Sequence, residues 1–386
     1  MALTGNWSYP TAIRFGAGRV AELGEACRIA GITRPLLVTD PGLVALPITA
    51  RAIEAIEATG LPVAVFSGVQ GNPTDANVAD GLAVLREGSH DGVVAFGGGS
   101  ALDCGKVMAF MKGQTRPMWD FEDIGDWWTR ADPTGIAPIV AVPTTAGTGS
   151  EVGRAGVITN LATHTKKVIF HPKMLPAQVI LDPELTVDLP PFLTAGTGMD
   201  ALAHCLEAYC APSYHPMAEG IAVEGIRLVK EYLPRAYRDG EDIEARAQML
   251  AAAAMGATAF QKGLGAIHAL SHPVGALYNT HHGLTNAVFM PYVLDFNREP
   301  VFDKIERLAA WLGIEDGFSG FLDFILRLRR DLGIPHTLDR IGVDSTRFEA
   351  MAAMAIEDPT AGGNPRALKL GDALDLYERA VEGRVG

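Results

Sequence analysis

Cysteine is scarce. Four residues (Cys27, Cys104, Cys205 and Cys210) in a chain of 386 make no disulfide framework, and no CxxC pair offers a thiolate metal site. Cationic charge is equally thin: 32 Lys and Arg stand against 45 Asp and Glu, a net charge of −13, with no basic run or face. That argues against a nucleic-acid partner, whose phosphates demand clustered Lys and Arg. No apolar stretch reaches the roughly 20 residues of a membrane span. The Ala-rich run around Met249–Phe260 is too short. The opening MALTGNWSYP lacks the charged and then apolar regions of a secretory signal. No internal repeat or low-complexity segment is visible. A reduced, cytoplasmic protein without nucleic-acid or membrane partners is the expectation.

What is present divides into two halves with different grammar. In the first, short apolar runs (Leu36–Thr39, Val63–Phe66, Val93–Phe96, Ile139–Val142) alternate with helical patterns such as Val44–Thr59 and Thr74–Glu87. This predicts a mainly parallel, Rossmann-like α/β sheet covered by helices. Thr74, after Asn72-Pro73, reads as a helix cap. Beyond Pro190-Pro191 the strand signals stop, and long Ala- and Leu-rich patterns follow at Phe192–Tyr209, His215–Tyr232, Ile243–Gln261, Val301–Leu312 and Ser319–Leu332. The chain is longer than a single core usually grows. Two domains are therefore expected: α/β dinucleotide-binding over 1–189 and all-helical over 190–386.

Two glycine loops compete for a cofactor's phosphates. Gly16-Ala17-Gly18-Arg19-Val20-Ala21 fits GxGxxA, and Asp40 ends the next strand, where a dinucleotide fold keeps its ribose-binding acid. The rival is Gly97-Gly98-Gly99-Ser100, directly after one apolar run and before the helical Ala101–Met111. Consecutive glycines let backbone N–H groups close on a pyrophosphate at a helix N-terminus. The plainer alternative is a tight turn. A third loop, Pro143 to Glu151 (PTTAGTGSE), also follows a strand and carries hydroxyls and glycines. A carboxylate at Asp40 would accept ribose hydroxyls and repel a 2′-phosphate, favouring NAD over NADP; otherwise it is a turn residue before Pro41.

In the second half, Asp200 and His204 stand at i and i+4, on one helix face. His268 and His272 repeat the spacing, and Asn279-Thr280-His281-His282-Gly283 reads as a short loop after them. A lone His on an apolar helix is usually a satisfied core residue. Asp200 inside an Ala- and Leu-rich helix is harder to explain that way, because an unpaired buried carboxylate is costly. One Asp with several His suits a divalent transition metal, iron(II) or zinc.

DALAH followed by CLEAY, HALSHPVGALYNTHHG, GGGSALDCGK and PTTAGTGSE together resemble the iron-containing (group III) alcohol dehydrogenases. The likeness runs from about Ile13 to Ala380 and includes Gly363-Asn364-Pro365-Arg366, similar to that family's C-terminal signature. The resemblance implies that Asp200, His204, His268 and His282 ligate the metal, with His272 beside the site. It gives the pyrophosphate to Gly97, Gly98, Gly99 and Ser100, which makes the Gly16–Ala21 pattern a decoy. It further implies cofactor contacts from Asp40, Asn72, Thr144, Thr145 and Lys167, with Asp103 nearby; Lys166 competes with Lys167. Where the family often carries proline before the last ligand, this chain has His281. Dimers or larger homo-oligomers are expected.

The expected reaction is reversible hydride transfer between a small primary alcohol and NAD, with Fe(II), or Zn(II), polarising the substrate oxygen. His272, titratable near neutrality and one turn from His268, is the candidate for the proton path. A polyol or hydroxy-acid dehydrogenase, a dehydroquinate-synthase-like lyase and a maleylacetate-reductase-like enzyme use related scaffolds, and a non-catalytic nucleotide or metal sensor is the rival of another class. Trp119, Trp127 and Trp128 either line a substrate entrance or pack a surface loop.

Overall fold

Strands that are apolar on both faces belong inside a parallel sheet, where helices cover each side. In the computed structural model, which describes residues 11–385, such runs do become the inner strands. MALTGNWSYP lies outside the described residues. Among those described, the chain forms two compact units: residues 11–145 with 149–188, and residues 146–148 with 189–385.

The first unit runs β1 (Ala12–Phe15), α1 (Leu23–Ile29), β2 (Pro35–Val38), α2 (Pro47–Glu57), β3 (Ala64–Phe66), α3 (Asp75–Glu87), β4 (Gly92–Gly97), α4 (Gly99–Met111), β5 (Ile139–Pro143), β6 (Ala155–Asn160), β7 (Thr165–Phe170) and β8 (Gln178–Leu181). Six strands pair in parallel in the order β1-β8-β5-β4-β2-β3. Every residue of β2, β4 and β5 is buried, which is why those strands read as unbroken apolar runs. α3 begins as expected. Thr74 Oγ1 accepts the Asn77 N–H at 3.3 Å while Asn77 Oδ1 accepts that of Thr74 at 3.1 Å. β6 and β7 form a separate antiparallel hairpin that the sequence pattern does not announce.

The second unit is helical: α5 (Pro191–Cys210), α6 (Pro216–Arg238), α7 (Ile243–Ala259), α8 (Ala266–Tyr278), α9 (His282–Phe296), α10 (Arg298–Trp311), α11 (Gly317–Asp331), α12 (Phe348–Glu357) and α13 (Leu370–Glu382). α5, α6 and α7 approach closely because small residues line their contacts. A Cβ on Gly256 of α7 would meet His204 Cβ at 3.0 Å and the Ala201 carbonyl at 3.2 Å. α8 and α9 carry interior prolines, Pro273 and Pro291. The HHG stretch is shorter as a loop than the sequence suggests: Asn279 adopts φ 53°, and His282 is already the first residue of α9. No helix among the described residues is long and apolar enough to cross a membrane.

Candidate metal centre and nucleotide loops

On α5 the residues Asp200, His204 and Glu207, at i, i+4 and i+7, form one stripe, and all three are buried. α8 contributes His268 and α9 contributes His282. Asp200, His204 and His268 each offer an atom, all within 4.8 Å of one another. Asp200 Oδ1 lies 4.0 Å from His204 Nε2, 3.8 Å from His268 Nε2 and 3.7 Å from His282 Nε2.

When each ring is neutral with its proton on Nδ1, these are acceptor atoms facing an acceptor atom. The donor found among them is the Asn286 amide, whose Nδ2 is 2.7 Å from Asp200 Oδ1 and 3.2 Å from both His268 Nε2 and His282 Nε2. Burial pushes the His204 pKa down to about 4, so its ring stays neutral and keeps its lone pair. Burial also disfavours the charged form of His268, but Glu207 bonded to its Nδ1 and Asp200 nearby outweigh that and raise its pKa. A buried carboxylate among imidazoles is uncomfortable without a cation at its centre, and this donor set suits Fe(II) or Zn(II).

The neighbouring histidines separate by what holds them. His281 Nδ1 accepts the Leu284 N–H at 3.3 Å and caps α9, while His282, the next residue, reaches Asp200. His272 stacks on His282 with centroids 5.4 Å apart, and its Nδ1 is bonded to Asp358 Oδ2 at 2.8 Å. Cys205, beside His204, has its Sγ 3.9 Å from the Ala252 carbonyl, and burial pushes its thiol up to about 12; it packs as a small hydrophobe. Three residues of this centre escaped the sequence reading: Glu207, Asn286 and Asp358. Glu207 and Asn286 had a local signal, being one further turn along from His204 and from His282.

In the first unit, the strand order reverses between β2 and β4, and such a switch point is where open α/β sheets bind ligands. Asp40 follows β2, and Gly97–Ser100 lead from the last residue of β4 into the first turn of α4. Gly97 has φ +144°, and a Cβ there would meet Ala101 at 2.9 Å and stand 3.7 Å from Asp40 Oδ2. A Cβ on Gly98 would lie 3.4 Å from Thr145, whose neighbour Thr144 donates its N–H to the Gly97 carbonyl at 2.9 Å. Asp40, the glycine loop, Thr144 and Thr145 thus gather at one edge, with the N-terminus of α4 opening onto it. Asn72 sits at φ 53° just before α3.

The other expected cofactor residues are engaged elsewhere. Asp103 Oδ1 accepts the Ser150 hydroxyl at 2.5 Å and its Oδ2 accepts the Val157 N–H at 2.9 Å, so it ties α4 to the loop and hairpin. Lys167, on β7, pairs with Glu122 at 2.7 Å. In the Gly16–Ala21 pattern, Gly18 and Val20 donate their N–H groups to Asp182 at 3.1 and 2.9 Å, so a protein carboxylate already occupies that loop. The tryptophans pack locally. Trp128 meets Phe170 and His171 edge-on, and Trp127 lies under Arg130 at 4.1 Å.

Comparison with known proteins places this geometry. Residues 10–183 match the model of the iron-containing alcohol dehydrogenases, and residues 194–381 match that of the Fe-containing alcohol dehydrogenase C-terminal region. A 4-hydroxybutyrate dehydrogenase of Cupriavidus necator is 40% identical over 383 residues, spanning 97% of this chain and 99% of that protein. A 1,3-propanediol dehydrogenase of Citrobacter freundii is 38% identical over 376 residues, spanning 95% and 96%. The solved structure of a 1,3-propanediol oxidoreductase matches with a TM-score of 0.93 at 37% identity, over 98% of this chain and 100% of that one.

Proposed function

The chain belongs to the iron-containing alcohol dehydrogenase family, and we propose from that premise that it interconverts a small primary alcohol and its aldehyde with NAD. It is an oxidoreductase of the alcohol dehydrogenase class, using a metal and a nicotinamide cofactor. The observation that carries the site assignment is the convergence of buried Asp200, His204 and His268, with half-buried His282 beside them, around one carboxylate oxygen. Those four would hold the metal, Fe(II) in this reading with Zn(II) as the competing ion. When bound, the metal supplies Lewis acidity toward an alcohol oxygen, and the nicotinamide accepts the hydride.

The chain's own residues do the rest. Asp200 brings the one formal negative charge of the ligand set, and the buried, neutral His204 keeps its lone pair for the ion. The peptide N–H groups at Gly97–Ser100 would bind the pyrophosphate, helped by the α4 dipole. Asp40 would receive the ribose hydroxyls, which favours NAD over NADP, and Asn72, Thr144, Thr145 and Lys167 would complete the cofactor contacts. Asp103 would serve that site indirectly, through its hydrogen bonds with Ser150 and Val157. His272, whose Nδ1 is held by Asp358, would take up the alcohol proton.

The two relatives described above act, by their names, on terminal hydroxyls of short chains, which supports a short primary alcohol or ω-hydroxy acid here. A cytoplasmic location fits four free, buried cysteines. β1 at the sheet edge, with Ile13 and Phe15 exposed, supports a homodimer or larger assembly. The decisive experiment is anaerobic loading of the apo-protein with Fe(II) or Zn(II), followed by NADH and NADPH oxidation against the aldehydes of 4-hydroxybutyrate, 1,3-propanediol and simple n-alcohols. Turnover with NADH is expected. A loaded protein that reduces none of them is a sensor, not a dehydrogenase.

A further inference from the structure

Two motifs, the CLE that follows DALAH and the C-terminal GNPR, have no part in the chemistry above. A side chain from each, Glu207 and Asn364, reaches the start of α8, the helix that carries His268. Glu207 Oε2 lies 2.5 Å from His268 Nδ1, and its Oε1 accepts the Ile267 N–H at 2.7 Å. One carboxylate therefore holds both the backbone and the ring of adjacent residues. The preceding N–H, that of Ala266, is taken by Asn364 Oδ1 at 3.1 Å. Asn364 also exchanges two side-chain hydrogen bonds with Asn297 at the end of α9, at 2.9 and 2.8 Å. Its neighbour Arg366 donates to the Phe296 carbonyl at 3.2 Å. The fit is tight: a Cβ on Gly265 would stand 2.8 Å from Asn364 Oδ1 and 3.1 Å from Glu207 Oε1, and one on Gly363 would enter the Leu264 carbonyl at 2.1 Å.

Helix N-termini leave their first N–H groups unsatisfied, and a buried start must find acceptors for them. Here the acceptors are chosen so that one also fixes a ligand. With Glu207 accepting at Nδ1, a neutral His268 ring would carry its proton on Nδ1 and its lone pair on Nε2, the atom that lies 3.8 Å from Asp200. A ring free to hold the other tautomer would present an N–H to the metal instead.

We propose that Glu207 is a positioning residue: it sets the tautomer and orientation of His268 for metal binding, while Asn364 of the GNPR motif fixes the start of α8 to the end of α9. The proposal rests on the metal reading for its consequence, but its mechanism belongs to the metal-free protein. Glu207 touches neither metal nor substrate; it acts through His268.

The test compares Glu207→Gln and Asn364→Ala with the parent protein. Three quantities are read: the ¹⁵N NMR tautomer of His268 in metal-free protein above neutral pH, the Co(II) dissociation constant from its visible absorption, and the thermal midpoint. The parent protein is expected to carry the proton on Nδ1. Gln presents an N–H as well as a carbonyl, so Glu207→Gln should shift the proton toward Nε2 and weaken cobalt binding by about 10- to 100-fold. Asn364→Ala should lower the midpoint with less than about a threefold change in cobalt affinity, because it caps backbone without touching a ligand. If Gln prevents folding, Glu207→Asp, which keeps the charge but is one methylene short of His268, should still weaken cobalt by about tenfold. A Glu207→Gln protein that keeps the Nδ1 proton and binds cobalt like the parent overturns the proposal and makes Glu207 a simple helix cap. A parent protein with the Nδ1 proton that takes up no cobalt overturns the metal reading instead, and supports Glu207's hold on His268.

Discussion

Asp358 grips His272: its Oδ2 lies 2.8 Å from His272 Nδ1, while Thr360 fills Oδ1 from its backbone N–H at 2.9 Å and its hydroxyl at 2.5 Å. Burial alone would raise the pKa of Asp358, but His272 and Thr360 bring it below the ordinary carboxylate value. The pair engages Nδ1, so a proton path through His272 would run by way of Nε2. His272→Gln can still donate to Asp358 but cannot titrate, so it should fold and retain metal while losing turnover by about 10². The measurement is kcat against pH. A full rate across neutral pH removes His272 from the proton path.

His281 and His282 are adjacent yet hold different jobs, and paired substitutions separate them. His282→Ala should strip the metal during gel filtration. His281→Ala should keep it and lose about 0.5–2 kcal/mol of stability, the usual value of an N-cap. His281→Asn, which can cap in the same way, should recover most of that loss. Metal content by elemental analysis and urea denaturation check both arms, and the reverse pattern would move the ligand by one residue.

Gly283 allows α9 to close on α5. A Cβ there would lie 2.2 Å from the Gly196 carbonyl oxygen and 3.1 Å from Asp200 Cβ, with no side chain able to yield. Gly283→Ala should therefore destabilise by about 1–3 kcal/mol and weaken metal binding together, since any shift of α9 carries His282 with it. Gly220, exposed on α6 with nothing within 4 Å of its Cβ position, is the control. There Ala should be neutral or stabilise by up to about 1 kcal/mol.

The parts of this molecule legible from sequence are those whose signal is local. β2, β4 and β5 are buried on both faces and so read as apolar runs, and the Asp200–His204 and His268–His272 spacings lie within single helices. β1, exposed at an edge, and β6, which alternates half-buried with buried residues, carry weaker patterns. α9 is buried nearly all round and contains Pro291, which removes the amphipathic period that marks a helix. What the supporting carboxylates hold is invisible for another reason, even where, as with Glu207, the residue's own position carries a local signal. Glu207 acts on a residue 61 positions away and Asp358 on one 86 away, and no local pattern encodes such pairs.

Asp40 has two readings that its geometry lets coexist. Oδ1 accepts the Gly42 and Leu43 N–H groups at 2.8 and 3.0 Å, as a turn residue does, while Oδ2 faces Gly97. Asp40→Asn retains the turn and removes the charge. Repulsion of a 2′-phosphate at roughly 1–4 kcal/mol predicts a rise of about tenfold or more in the NADPH to NADH ratio of kcat/KM. An unchanged ratio would leave Asp40 with the turn alone.

Glu151 ends the hydroxyl-rich loop with a fully buried carboxyl whose Oε1 has no hydrogen-bond partner among the described residues. Burial pushes its pKa up to about 7, outweighing the attraction of Lys106, whose Nζ is engaged by the Ser150 carbonyl at 2.9 Å and by Asp103 at 3.3 Å. The folded state thus holds a proton that the unfolded chain releases near its ordinary value of 4.5. Between those two values the native state binds more protons, so this group makes stability fall as pH rises, by roughly 3 kcal/mol at most. Glu151→Gln is neutral throughout and removes that slope. Its stability relative to the parent, by urea denaturation, should improve steadily from about pH 4.5 to pH 7 and then level off. A difference that is flat across this window would mean that Glu151 is already ionised in the folded protein, and that Lys106 offsets its burial.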